Sequence, residues 1–321
     1  MQRVRQICVV GGSGFVGSAL VHRLSTAGYD VKVLTRRRES SKHLILLPNV
    51  QVTECDVFNE ASLSGQLHGQ DAVINLAGIL HESGNATFES IHVDLATRIA
   101  DICCKQGVPR LLHMSALKAS ADAKSAYLRS KAAGEQAVLR RADELQVTVF
   151  RPSVIFGRGD HFLSMLANVV NMMPVVAVAK PNAKFQPIWV EDVAYVFLTA
   201  LENVSTYGRS IDLGGPQVYT LKQLIELTAL LLGKKRRIVS LNDKLSYYQA
   251  YALELMPFKL MTRDNLLSME VDSVCDGPIS EFFGHSLASL EAIAPEYIAG
   301  ETPRSAYERF RSLAGRTFSR R

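Results

Sequence analysis

Tyr127 and Lys131 stand four residues apart in Ala126-Tyr127-Leu128-Arg129-Ser130-Lys131-Ala132-Ala133-Gly134-Glu135. That spacing brings both side chains to one face of a helix. An ammonium beside a phenol favours phenolate, so the tyrosine can give or take a proton at a substrate oxygen during hydride transfer. The same spacing arises on helices that do no chemistry, and the pair gains meaning only from its surroundings. Ser115, in His113-Met114-Ser115-Ala116, is a candidate to hydrogen-bond a substrate carbonyl, with a turn or cap as its ordinary alternative role.

Upstream, Gly11-Gly12-Ser13-Gly14-Phe15-Val16-Gly17 sets three glycines at intervals of three. A tight turn and a close backbone approach to a pyrophosphate leave no room for Cβ, and a helix N-terminus supplies free N–H groups to the anion. Thr35-Arg36-Arg37-Arg38 falls where an acidic residue would bind the ribose 2′-hydroxyl of NAD. Arginine there suits a 2′-phosphate. NADP(H) is therefore favoured over NAD(H), with Arg36 and Arg37 as contacts and a solvated basic face as the alternative. Asp56-Val57 would accept from an adenine amino group and pack its ring, while Leu76-Ala77-Gly78 offers small residues that a cofactor can approach.

These side chains need a scaffold. Short apolar runs at 7–10, 31–34, 50–53, 72–76, 111–114 and 148–150 alternate with helical stretches such as 18–27, 91–106 and 126–145. Buried strands alternating with helices predict an α/β fold, a doubly wound parallel Rossmann sheet. Beyond Arg151 the rhythm becomes irregular, with prolines at 152, 174, 181 and 187, a helix over 221–232 and a basic run over 234–237. The expected organisation is a dinucleotide-binding domain over 1–157 and a smaller α/β substrate lobe over 158–321. Residues 185–214 are candidates to return to the first domain, and a basic tail runs from Arg304. The uncharged stretch 162–179 is broken by Pro174, and Ser164, Asn168 and Asn171 share one helical face. It therefore reads as an amphipathic helix followed by a strand.

Composition narrows the function classes. Of 321 residues, 47% are apolar, and 36 basic side chains against 31 acidic ones leave a net charge of +5. With 7% aromatics, that excess does not describe a nucleic-acid binder. Five cysteines with no CxxC spacing suggest neither a disulfide framework nor a metal site, and fit a reducing compartment. The first six residues carry no signal core. A cytoplasmic location is expected, with a peripheral position at the inner face of a membrane as the alternative.

Together these blocks resemble the short-chain dehydrogenase/reductase superfamily in its extended, two-lobed form, over most of the chain. The pieces are the 11–17 loop, Asp56-Val57, Leu76-Ala77-Gly78, the Tyr127/Lys131 pair, Arg151-Pro152-Ser153-Val154-Ile155-Phe156-Gly157, and Trp189-Val190-Glu191-Asp192-Val193-Ala194. The resemblance implies that Pro152, Ser153 and Val154 hold the nicotinamide carboxamide, and that Lys131 also bonds the nicotinamide ribose. The wording of the blocks is similar to an atypical subgroup, the family of the nucleotide-binding accessory subunit, alpha-subcomplex subunit nine, of respiratory complex I. Two departures weaken sugar-nucleotide chemistry. Leu117 stands where the extended epimerases have Ser or Thr, and Tyr127 follows Ser115 by only twelve positions.

Two readings follow. One is an NADP-dependent oxidoreductase on a small or apolar carbonyl or alcohol, with Tyr127 as acid/base, Lys131 as its electrostatic partner and Ser115 as carbonyl orienter. The other is a non-catalytic NADPH-binding subunit or assembly factor of a respiratory complex, associated with a membrane surface.

Overall fold

A computed structural model describes residues 4–254, 261–277 and 286–299; the basic tail lies outside the described residues. The apolar runs of the first half become β1 (Gln6–Val10), β2 (Asp30–Thr35), β3 (Val50–Glu54), β4 (Ala72–Asn75), β5 (Arg110–Met114) and β6 (Gln146–Pro152). Between them lie α1 (Phe15–Thr26), α2 (Lys42–Ile45), α3 (Glu60–Leu67), α4 (Leu95–Gln106) and α5 (Ala126–Leu139). The second half contributes β7 (Ile155–Phe156), α6 (Phe162–Met172), β8 (Val175–Val178), β9 (Lys184–Phe185), β10 (Ile188–Trp189), α7 (Val190–Ala200) and β11 (Arg209–Leu213). It ends with β12 (Tyr219–Thr220), α8 (Leu221–Leu231), β13 (Arg237–Ser240), α9 (Asp243–Glu254), α10 (Arg263–Ser268) and α11 (Leu290–Ile298).

Seven strands form one parallel sheet in the order β11-β6-β5-β4-β1-β2-β3, the doubly wound fold the sequence predicts. Period-2 alternation builds its two cores. Ile7 and Val9 join Leu20 and Leu24 of α1 and Val193 and Phe197 of α7 on one face. Cys8 and Val10 join Leu63 of α3, Ile99 of α4 and Val138 of α5 on the other. The strand order reverses between β1 and β4, which pair Val10 with Asn75. Such a switch point opens a crevice beyond the carboxyl ends of the strands.

A third core holds the second lobe. Leu163, Leu166 and Val170 of α6 pack with Val176 and Val178 of β8, Leu224 of α8 and Leu290 of α11. Asn168 and Asn171 face outward, as the polar spacing of this helix requires. Among the described residues no helix is long and apolar enough to cross a membrane.

Candidate active site

The chain leaves β1 through Gly11, whose φ of 82° lies in the left-handed region. A Cβ there would also stand 3.0 Å from the Ala77 nitrogen and the Leu76 carbonyl carbon, so the loop runs directly against the Leu76–Ala77 backbone. At Gly17 a Cβ would come within 2.3 Å of the Gly11 oxygen, and at Gly12 within 2.9 Å of Val33. Those two glycines serve close packing of α1 on the loop and on the core. Gly14 differs: it is exposed, and within 4 Å its Cβ would meet only the Gly11 oxygen, at 3.3 Å. Gly14 is the N-cap of α1, with no side-chain cap bond and no acidic residue in the first turn. By contrast, hydroxyls cap α5, α8, α10 and α11. The positive end of α1 is thus open where a backbone without Cβ admits an anion. Phe15 lies against Gly157 and Gly159, Val16 is buried in the core, and the Ser13 hydroxyl is 3.5 Å from that of Thr35.

Arg36 and Arg37 follow β2 directly and are exposed. The Cys55 amide donates to the Thr35 oxygen at 3.0 Å, which sets the start of the Asp56-Val57 segment beside the end of β2. Asp56 accepts from the Phe58 amide at 3.0 Å, and Arg98 donates to the Val57 carbonyl at 3.2 Å.

Tyr127 and Lys131 lie on α5, whose N-terminus is capped twice. Ser125 accepts from the Leu128 amide at 3.3 Å. Asp264, at the start of α10, accepts from the Ser125 hydroxyl at 2.8 Å and from the Ala126 and Tyr127 amides at 2.6 and 3.1 Å. The buried Lys131 ammonium donates to the Met114 carbonyl at 2.6 Å, and a Cβ on Gly78 would stand 3.9 Å from its Nζ. Burial, partly opposed by Glu135, brings Lys131 down to about 8. Burial also pushes the Tyr127 phenol up to about 12. This reverses the lowering that the spacing suggested: desolvation dominates at the phenol, and the lysine is committed to a carbonyl.

His92 joins this group, and nothing in the sequence singled it out. It lies in a π-helical turn, Glu89–Asp94, just before α4. Its Nε2 accepts from the Ile79 amide at 3.1 Å, so the proton is assigned to Nδ1, which donates to Ser130 at 2.8 Å. Ser130 in turn donates to the Tyr127 carbonyl at 2.8 Å. Burial, reinforced by the Lys131 charge, pushes His92 down to about 3, so it is neutral at ordinary pH. The Tyr127 ring packs edge-on to it at 5.6 Å. The imidazole therefore fastens the loop after β4 to the middle of α5.

Ser115 is buried just past β5, its amide donating to the Phe150 carbonyl at 2.7 Å. Its hydroxyl has no hydrogen-bond partner among the described residues, and neither does Nε2 of His113, whose Nδ1 meets the Asn75 amide group at 3.2 Å. At the end of β6 and just beyond it, Pro152 accepts from the Leu117 amide and Val154 from the Ile188 amide. The Ser153 hydroxyl donates to the Ser273 carbonyl at 2.8 Å and accepts from the Gln186 amide at 3.2 Å. Those bonds occupy the hydroxyl, so a ligand would meet Ser153 through its backbone. Segment 261–277 borders the same region: besides Asp264, its Glu270 pairs with Lys124 at 2.7 Å and its Asp276 with Lys118 at 2.5 Å.

A glycine loop at the switch point of a doubly wound parallel sheet defines a dinucleotide-binding protein of the Rossmann class. Residues 7–214 match the family model described as the NAD dependent epimerase/dehydratase family, and the chain belongs to that family. It is 34% identical over 261 residues, 78% of this chain, to NADH dehydrogenase [ubiquinone] 1 alpha subcomplex subunit 9 of Arabidopsis thaliana, and spans 64% of that relative's length. It is 28% identical over 239 residues to a ceramide reductase of Caulobacter vibrioides, covering 74% of each chain. The fold is similar to the X-ray structure of Pal from Bacillus thuringiensis, with a TM-score of 0.72 and 19% identity over 92% of this chain and 99% of the other.

Proposed function

We propose that the protein is an NADP-dependent oxidoreductase acting on a small or apolar carbonyl or alcohol. The observation that carries this reading is the buried, unpartnered Ser115 hydroxyl at the end of β5, together with Tyr127 and Lys131 on α5. An unsatisfied buried hydroxyl is costly, and a substrate oxygen would satisfy it. Gly14 and the open first turn of α1 would hold the pyrophosphate, Arg36 and Arg37 the 2′-phosphate, Asp56 and Val57 the adenine, and the backbone of 76–78 and 152–154 the nicotinamide half. When bound, the nicotinamide supplies or accepts the hydride. Ser115 orients the carbonyl by donating a hydrogen bond, and Tyr127 delivers the proton to the same oxygen. Once it turns from the Met114 carbonyl, Lys131, close to Gly78, stabilises the phenolate that remains. The name of the Caulobacter relative, a ceramide reductase, is in keeping with an apolar substrate.

A second reading rests on a different observation. The relatives at 30–34% identity are named as subunits of mitochondrial NADH dehydrogenase, which favours a nucleotide-binding subunit or assembly factor of a respiratory complex with no turnover. Turnover separates the two. On a substrate found by screening carbonyls with NADPH, Tyr127→Phe is expected to lower the rate about a hundredfold or more while leaving cofactor affinity intact. Full activity in that variant, or rescue of a deletion strain equal to wild type, would overturn the catalytic reading.

The cofactor preference has its own test. Arg36→Ala should weaken NADPH by about 1.5–3 kcal/mol, the range for a charge-assisted hydrogen bond, with little effect on NADH. Undiminished NADPH preference in titrations of the variant would contradict the role of Arg36.

A further inference from the structure

We propose that one corner of the second lobe docks on an anionic lipid bilayer surface, a property independent of the chemistry proposed above. β8 and β13 pair in parallel, with Val175 opposite Arg237 and Ala177 opposite Val239. Because the ladder is parallel, both strands start at the same end, and the helices that feed them, α6 and α8, finish at one corner. Among the bonds that hold it together, Arg236 donates to the Val170 carbonyl at 2.7 Å, Lys234 to the Asn171 carbonyl at 3.4 Å and the Arg237 amide to the Pro174 carbonyl at 3.3 Å.

That corner exposes large apolar side chains. Met172 is 79% exposed, Leu230 70%, Met173 51% and Val175 45%. Methionines and a leucine clustered at helix ends are poor choices for a surface in contact only with water, and such clusters mark interaction sites. Lys235 and Arg237 stand exposed on the β13 side of the same corner, with no ion pair among the described residues. α6 carries no acidic residue, and those of α8 and α9 are paired elsewhere. Glu226 lies 3.8 Å from Lys222, Asp243 2.8 Å from Lys180 and Glu254 2.9 Å from Arg263. Apolar side chains able to enter the headgroup layer, beside cations not neutralised by the protein, complement an anionic membrane. A protein partner would have to supply both an apolar socket and acidic groups.

The test is sedimentation of the full chain with vesicles of phosphatidylcholine alone, or of phosphatidylcholine and phosphatidylglycerol in equal parts. Two variants accompany it, Lys235→Glu with Arg237→Glu, and Met172→Ser with Met173→Ser and Leu230→Ser. All five positions are exposed and lie outside the cofactor site, so unchanged NADPH binding serves as the folding control. The wild type is expected to sediment with the mixed vesicles and much less with phosphatidylcholine. Each basic side chain lost near an anionic surface should lower partitioning about fivefold, so the charge variant should fall at least about twenty-fivefold. The apolar variant should also fall. Wild-type binding by both variants would overturn the proposal, as would no preference for the anionic vesicles. So would a solution dimer that the apolar variant converts to monomer, since the corner would then belong to a second copy of the chain.

Discussion

At Lys131 two demands meet: the proposed chemistry calls for a cation there, and burial disfavours one, with Glu135 only partly opposing it. Burial brings its folded pKa to about 8, against about 10.4 in an unfolded chain. Between those values the unfolded chain holds a proton that the folded chain has lost, so this lysine makes stability rise with pH across that window. Lys131→Met should remove the rise, which urea unfolding of both proteins at pH 7 and pH 10 would measure. If the ammonium stabilises the Tyr127 phenolate, turnover should in addition decline above about pH 8 in the wild type. A wild-type rate that keeps climbing beyond that pH would mean the neutral amine suffices. His92 presents the same physics with its charge removed: buried and pushed down to about 3, it works as a fixed donor and acceptor between Ile79 and Ser130.

The elements explain how such groups are held. α5 meets the π-turn Glu89–Asp94 so closely that a Cβ on Gly134 would lie 1.9 Å from the His92 carbonyl oxygen. Backbone rather than a flexible side chain blocks it, so Gly134→Ala must push α5 outward. The expected loss is about 1–3 kcal/mol, the range for overpacking, read as a lowered melting temperature with weakened cofactor binding. A variant as stable as wild type would show that the two elements part freely. Much of this frame was legible in the sequence. Hydrophobic period and the glycine intervals located β1 and α1, and the four-residue spacing put Tyr127 and Lys131 on one helix. His92 was not legible, since a histidine within an apolar-periodic stretch looks the same whether it faces core or site, and a π-turn has no sequence signal. Asp264 was hidden for a different reason: it caps α5 from 138 residues away from Ala126, and an isolated acidic residue carries no trace of such a partner. The pKa of Tyr127 was misjudged because spacing reports proximity but not desolvation.

At the scale of the molecule, the β5–α5 region carries contacts from both halves of the chain. Asp264, Glu270 and Asp276 reach from segment 261–277 to the β5–α5 region, so the segment that caps α5 also ties down the loop between β5 and α5. Gly14 and the open end of α1 are proposed to receive a dinucleotide pyrophosphate. The most direct test of that role is calorimetric titration of the wild type and of Gly14→Val with NADPH, alongside a thermal melt of each. Gly14 is exposed and already extended at φ −77° and ψ −177°, a conformation open to valine; its Cβ would press only on the Gly11 oxygen at 3.3 Å, and valine is a poorer N-cap than glycine, so the variant should still fold, with a modestly lowered melting temperature. The branched side chain would fill the space that the anion must enter, so NADPH should bind the wild type and fail to bind the variant. A folded Gly14→Val protein that binds NADPH with wild-type affinity would contradict the assignment of the cofactor site.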